Sequence, residues 1–436
     1  MLKRKAYDRM MKWHGAPTRK ALLVTGARQV GKTFLVREFA KANYEKVLEI
    51  NLIEDPDACS VFDRARNASD ILMRLSLLAD EPLVPGKTVV FIDEVQECED
   101  IITSIKFLVD EGSYDYILSG SLLGVELKDV RSVPTGYLST IELFPLDFEE
   151  FCWAGGVAED VFGELDRSFA SLEPIDGFVH QRMLDLFNRY LIIGGMPDAV
   201  VTFLSSNDLT LVRTVQDDIK LLYRRDISKY AERDKLAIKE IYDLIPSELN
   251  NPNKRFVLKR LNEHARFRSY QNDFSWLIEA DVAIAAYNVD EPCRPLLLSK
   301  ERNLFKLFYS DVGLLTSSFL KKTSQDILMG ERDVNYGSTF ENAVAQELVC
   351  HGFDLYYYNS KKYGEIDFVV EDKNGTVMLL EVKSGKDYRR HRALDNVLAI
   401  ENYHLERGYV LGSCNIEEKG LVVYLPIYMI SRFLNE

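Results

Sequence analysis

The chain has 436 residues, enough for two to four domains and for large apolar cores that need neither disulfide nor metal. Hydrophobic residues make up 47% and charged residues 28%, which excludes a chain that is disordered in the main. The net charge of −14 disfavours indiscriminate attachment to nucleic acid or anionic membrane, so any such contact must come from local basic surface. The cysteines (Cys59, Cys98, Cys152, Cys293, Cys350 and Cys414) stand singly, with no C-x-x-C pair, which argues against a zinc ribbon or redox motif. Together with an N-terminus that has no apolar signal segment, this fits a reducing cytoplasm. The longest apolar run, Leu421 to Ile430, is too short to span a bilayer, and no membrane partner is expected.

The first stretch alternates strands and helices. Strands are predicted at Lys20–Thr25, Val47–Leu52, Thr88–Ile92, Tyr114–Leu118 and Ser139–Leu143. Helices are predicted at Lys32–Asn43, with Phe34, Leu35, Phe39 and Ala42 on one face, at Ser69–Leu78 behind a capping Ser69, and at Ile101–Val109. This alternation predicts a parallel sheet covered on both faces. From Leu146 to about residue 235 the pattern is helical, punctuated by Gly194-Gly195-Met196-Pro197. Residues 236–300 read as short helices and then a strand pair. After residue 335 come a helix (Thr339–His351), strands at Asp354–Asn359, Ile366–Glu371 and Val377–Lys383, and a helix near 393–401.

Residues Gly26-Ala27-Arg28-Gln29-Val30-Gly31-Lys32-Thr33 match G-x-x-x-x-G-K-[ST] between a strand and a helix. Glycines let such a loop curl until its N–H groups point inward, and the helix N-terminus adds positive potential for phosphates. Lys32 is expected on the β- and γ-phosphates of ATP and Thr33 on Mg2+. Val89–Ile92 end in Asp93-Glu94, where a parallel strand delivers its last residues beside the loop. Asp93 is assigned to the Mg2+ shell and Glu94 to the attacking water. Ser119 and Ser121 close the next strand, and Ser119 is a candidate for touching the γ-phosphate or the water.

These residues carry a family resemblance. Residues 20–150 resemble the AAA+ group of P-loop ATPases, and in detail a bacterial and archaeal branch typified by G-x-R-Q-x-G-K-T, a strand ending D-E-x-Q, and P-L-x-F-x-E-F. Those motifs stand here as Gly26–Thr33, Asp93-Glu94-Val95-Gln96 and Pro145–Phe151. The resemblance implies an α/β P-loop NTPase core (1–150), a helical lid (151–235) and a winged-helix-like region with connector (236–335). Hydrolysis in such proteins needs an arginine on the γ-phosphate, in cis or from a neighbouring copy, so a homo-oligomer is among the expected partners. Arg131, Arg224 and Arg225 are candidates, none assigned.

Lys254, Arg255, Lys259, Arg260, Arg266 and Arg268 face Glu263 alone within 254–268, a local reversal of charge and a candidate DNA contact. In the last hundred residues, Asn374-Gly375 predicts a hairpin whose paired residue numbers sum to about 748, placing Asp367 opposite Glu381. Lys383 and Glu365 share their faces. Facing carboxylates repel unless a cation intervenes, so Glu341, Asp367 and Glu381 are candidate Mg2+ ligands, with Lys383 beside the reacting water. Glu341 … Asp367 … Glu381-Val382-Lys383 resembles the PD-(D/E)xK nuclease superfamily, which implies a restriction-endonuclease-like α/β domain over 336–436. Lys383, Lys386, Arg389, Arg390 and Arg392 form a second basic run (383–392) able to meet a phosphate backbone. Two functions stand: an ATPase acting on or regulated by nucleic acid, whose C-terminal domain cleaves or only binds DNA, and a nucleotide-dependent switch whose C-terminal domain is a non-catalytic interaction module.

Overall fold

A computed structural model of the protein describes residues 2–18, 20–63, 65, 67–121, 136–230, 235–251, 253–319, 321–330, 337–385 and 387–434. Apart from the first two residues, it divides into two compact units, 3–144 with 279–281, and 145–278 with 282–436, over a length where the sequence predicts four domains.

In the first unit the described strands β1 (Ala21–Thr25), β2 (Lys46–Asn51), β3 (Thr88–Asp93), β4 (Asp115–Ser119) and β5 (Leu138–Glu142) form a parallel sheet in the order β2-β3-β4-β1-β5. Helix α1 (Lys5–His14) precedes it. Helices α2 (Lys32–Asn43), α3 (Ala68–Leu78) and α4 (Glu99–Glu111) make the crossovers. Every residue of β3 is buried, as a strand covered on both faces requires. Because β4 lies between β1 and β3, and Val24 pairs with Ser119 while Ile92 pairs with Leu118, the carboxyl ends of all three strands stand level. That registry puts the loop after β1 beside the acids ending β3.

Two local expectations are corrected. The buried stripe of α2 is Leu35, Val36, Phe39 and Ala40, while Phe34 is 56% exposed and Ala42 faces outward. A run of apolar residues allows two helical faces, and the sheet selects the i, i+1, i+4, i+5 face. The cap of α3 is Asn67, not Ser69: its extended backbone lets its side chain accept the Asp70 N–H at 3.0 Å. Cys59 and Cys98, expected to stand alone, form a disulfide with Cα atoms 5.8 Å apart. Their 39-residue separation hides a closeness created by the β2–β3 pairing, since each cysteine follows one of those strands.

The second unit begins with helices Phe148–Ala154, Glu159–Ser171, Gly177–Ile193, Pro197–Ser206, Leu209–Tyr230 and Lys235–Leu249. The Pro145–Phe151 motif opens this run with a capping box: Asp147 accepts the Glu150 N–H at 2.8 Å, and Glu150 accepts the Asp147 N–H at 3.4 Å. The buried Glu347 carboxylate accepts the next free amide, Phe148 N–H, at 2.7 Å. The Gly194-Gly195 pair is a close-approach device. A Cβ on Gly194 (φ +73°) would lie 2.2 Å from Asp311 Oδ1, and one on Gly195 would lie 2.0 Å from the Leu146 carbonyl oxygen.

Helix Phe267–Glu279 leads into β6 (Ala283–Val289) and β7 (Lys300–Tyr309), followed by helix Gly337–Cys350 and β8 (Tyr356–Ser360), β9 (Gly364–Glu371), β10 (Val377–Val382), β11 (Gly408–Gly412), β12 (Glu417–Lys419) and β13 (Val422–Pro426). These strands form one mixed sheet, β12-β13-β11-β10-β9-β8-β6-β7. The hairpin β6–β7, expected as part of a winged-helix-like region and connector, is the edge of the sheet that holds the C-terminal strands, joined by parallel pairing of β6 with β8. Among the described residues no helix is long and apolar enough to cross a membrane.

Candidate functional site

The loop between β1 and α2 is held open by backbone that few residues adopt. Gly26 has φ +132° and Gly31 φ +92°, and Gln29 takes φ +67°. At Gly26 a Cβ would lie 2.1 Å from the Leu143 carbonyl oxygen, so the loop reaches its position only with glycine there. Arg4, the extended residue just before α1, donates to Val30 O at 3.1 Å and Phe144 O at 2.6 Å.

Lys32 is 7% exposed and donates to the carbonyl oxygens of Gly26 and Ala27, both at 2.8 Å. Burial pushes its ammonium down to about 8, against the pull of the neighbouring Glu94 and Asp93 carboxylates. Thr33 Oγ1 donates to Asp93 Oδ2 at 2.8 Å, and Ser119 Oγ donates to Asp93 Oδ1. Asp93 therefore sits between one hydroxyl from the loop and another from β4. Glu94 follows in a left-handed conformation (φ +57°) that turns its side chain out of the strand. Gln96 Nε2 donates to Glu94 Oε2 at 2.6 Å, and Ser121 Oγ lies 3.4 Å from the same oxygen and from Arg28 Nε.

The structure thus gathers Lys32, Thr33, Asp93, Glu94 and Ser119 at one sheet edge. The paired hydroxyl and carboxylate of Thr33 and Asp93 are hard oxygen donors, a set that fits Mg2+. Sequence reasoning missed Asn51, whose Nδ2 lies 3.5 Å from Asp93 Oδ2, and the hold of Gln96 on Glu94. Asn51 is directly opposite Asp93 in the β2–β3 ladder, a polar strand end that marks it once the pairing is known. Arg131 lies outside the described residues. Arg224 pairs with Asp243 at 3.0 Å.

The second cluster stands on β9 and β10. The hairpin register is Val377↔Glu371 through Leu380↔Phe368, the sum of 748 that the turn predicts. Asp367 Oδ2 accepts the Val382 N–H at 2.8 Å, and Lys383 Nζ donates to Glu381 Oε1 at 2.6 Å. Burial, followed by the Asp367 charge, raises Glu341 to about 7 and Glu381 to about 8. Two lysines that the sequence reading did not place here complete the cluster. Lys254 donates to Glu341 Oε1. Lys306, on β7 and fully buried, sets its Nζ 2.7 Å from Glu365 Oε1, 3.7 Å from Glu341 Oε2 and 3.9 Å from Asp367 Oδ1. Burial works against its charge, but Glu341, Glu365 and Asp367 outweigh that and raise it. A lysine inside the apolar run Phe305–Tyr309 was the available signal.

With amines between the carboxylates, this donor set does not fit a divalent ion. Among the described residues no group of three or more Asp, Glu, His or Cys is arranged to hold a metal.

The basic segments are partly consumed internally: Lys254 by Glu341, Arg260 by Glu248 at 3.0 Å, Arg389 by Glu417 at 2.6 Å and Arg390 by Asp387 at 3.3 Å. Lys259, Arg266 and Arg268 are exposed, and Lys386 lies outside the described residues.

Residues 18–152 match the family model described as "AAA domain". Residues 184–326 and 336–429 match two models described as domains of unknown function, DUF8612 and DUF4143. No curated protein sequence matches the chain. Among solved structures, a Walker-type ATPase of Pyrococcus abyssi is 14% identical, with 73% of this chain and 95% of that one covered at a TM-score of 0.44. The Orc1 protein of Aeropyrum pernix in complex with DNA is 13% identical, covering 76% and 93% at 0.29. The Hsp104–ADP complex of S. cerevisiae is 12% identical, covering 79% and 44% at 0.30. The AAA match spans all the strands and loops that build the first site, so over these residues the first unit is similar to an AAA domain.

Proposed function

We propose that the chain binds ATP with Mg2+ at loop 26–33 and hydrolyses it. The observation that supports this most is the convergence on Asp93 of hydroxyls from Thr33 and Ser119, with Lys32 and Glu94 alongside. Loop N–H groups from Ala27 to Thr33 receive the phosphate oxygens, and Lys32 exchanges its two carbonyl partners for β- and γ-phosphate oxygens. Mg2+, held by Thr33 and Asp93, supplies positive charge against the phosphates when bound. Glu94 orients the attacking water and takes its proton on a carboxylate oxygen, while Gln96 fixes the rotamer of that carboxylate. Ser119 holds Asp93 in register and lies next to where the γ-phosphate ends.

For the second unit, the lysine partners of Glu341, Glu365, Asp367 and Glu381 favour the switch reading over cleavage. In this reading the nucleotide state of the first unit governs a non-catalytic module, which meets nucleic acid through exposed Lys259, Arg266 and Arg268.

Replacing Glu94 with Gln tests the ATPase directly. The variant is expected to bind ATP as the wild type does and to hydrolyse it about 100-fold more slowly, the range of a lost general base. Undiminished turnover removes Glu94 from the mechanism.

A further inference from the structure

The geometry points to Lys306 as the built-in cation of the C-terminal acid cluster: its ammonium occupies the space among Glu341, Glu365 and Asp367 that a divalent ion needs, and the unit carries this cluster without metal.

The topology creates the problem that Lys306 solves. Glu365 and Asp367 are two residues apart on β9 and project from one face. Glu381 continues the register of the neighbouring strand, and Glu341 enters from the helix Gly337–Cys350 with 1% exposure. Carboxylates gathered this way repel, and burial deprives them of water. The nearest cation is already fixed. Lys306 is 0% exposed, its backbone is held in the β6–β7 ladder opposite Ala286, and its Nζ touches all three carboxylates within 3.9 Å. The Tyr357 ring closes another side, its centroid 5.0 Å from Nζ.

Two more amines each take one further oxygen, Lys254 on Glu341 Oε1 and Lys383 on Glu381 Oε1, while Glu381 Oε2 stays buried without a hydrogen bond. Four carboxyl groups thus face three amines. Mg2+ requires near-octahedral oxygen donors at about 2.0–2.1 Å. A dication bound by these same oxygens would be pressed against the Lys306 ammonium. Lys254, 19% exposed, has a route to water, but Lys306 has none. Displacing it would strand a buried charge with no partner, a strongly unfavourable outcome. The lysine therefore ties β7, the Gly337–Cys350 helix and β9 into one ion-paired hub.

The test uses the full chain without nucleotide and Mn2+ as the probe, with bound Mn2+ read by electron paramagnetic resonance. Wild type and Asp367→Asn are expected to bind the same amount. A wild-type site of one Mn2+ per chain that Asp367→Asn abolishes overturns the inference. In a second arm, Lys306→Met is expected to lower the melting midpoint, to gain one Mn2+ site that Asp367→Asn removes, and to recover part of the midpoint when Mn2+ is added. A Lys306→Met protein that melts like wild type and takes up no Mn2+ also overturns it. The wild-type comparison decides the matter alone if Lys306→Met does not fold. Loss of ATP turnover in other variants bears on neither arm.

Discussion

Replacing Gly195 with Ala tests the packing of the second unit at its tightest point. The added Cβ would lie 2.0 Å from the Leu146 carbonyl oxygen, 2.7 Å from its nitrogen and 2.8 Å from its carbonyl carbon, all backbone atoms with no rotamer to yield. Ordinary contact begins at 3.4 Å, so the two segments must part by about 1.4 Å. That movement breaks the Leu146 N–H bond to Gly195 O (2.7 Å) and strains the Gly195 N–H bond to Asp311 Oδ2 (2.6 Å). A lost buried hydrogen bond costs about 1–3 kcal/mol and overpacking about 1–3 kcal/mol, so a loss of about 2–6 kcal/mol is expected. At about 2–4 °C per kcal/mol, the melting midpoint of this unit falls by about 4 °C or more. Gly163 is the control: it lies in the helix Glu159–Ser171 with nothing within 4 Å of a Cβ, so Gly163→Ala raises stability by about 0.5–1 kcal/mol. Differential scanning calorimetry of both variants decides. A Gly195→Ala protein melting within about 2 °C of wild type refutes the close-approach reading.

Nucleotide affinity should depend on pH through Lys32. Its ammonium is lowered to about 8 by burial, so below that pH the charge is present for the phosphates, and above it the charge is lost. The expected ATP affinity is flat from pH 6.5 to 7.5 and weakens by up to about tenfold per unit above about pH 8. The nucleotide-free first unit shows the opposite trend between about pH 8 and 10.5, gaining stability as the native state sheds a proton that the unfolded chain still holds. Titration calorimetry across this range checks the first statement, and thermal melts check the second. Ser119→Ala leaves Asp93 Oδ1 with the Glu94 N–H at 3.1 Å but without its hydroxyl donor. Turnover is expected to fall about tenfold or more and the first unit to lose about 1.5–3 kcal/mol, read by steady-state ATPase assay and denaturant titration.

The sequence makes the first unit readable because its signals are local. Four apolar residues ending in Asp93-Glu94, downstream of the phosphate-loop motif, read as a buried strand with its acids at the edge, and the loop glycines fall at the spacing a phosphate cradle needs. The hairpin around Asn374-Gly375 is readable for the same reason, since its turn sets every pair that follows. What stays hidden is decided by distant partners. The exposed side of Phe34 depends on where the sheet sits, and the Cys59–Cys98 bond on which strands pair. The β6–β8 pairing spans some seventy residues, so nothing near Ala283 announces that its strand belongs to the C-terminal sheet. Lys306 is the sharpest case. Glu341, Asp367 and Glu381 suggest a metal because the sequence shows like charges together, while the lysine among them lies 35 residues before Glu341 on an edge strand.

The account's central claim is that loop 26–33 with Asp93 and Glu94 forms an ATP site, and titration calorimetry of Mg2+-ATP into wild type and Lys32→Ala tests it most directly. The account predicts a single saturable site in the wild type and an affinity weakened at least about tenfold in the variant, the value of a lost charged hydrogen bond to phosphate. Equal affinities in the two proteins, or no ATP binding to the wild type, would contradict it.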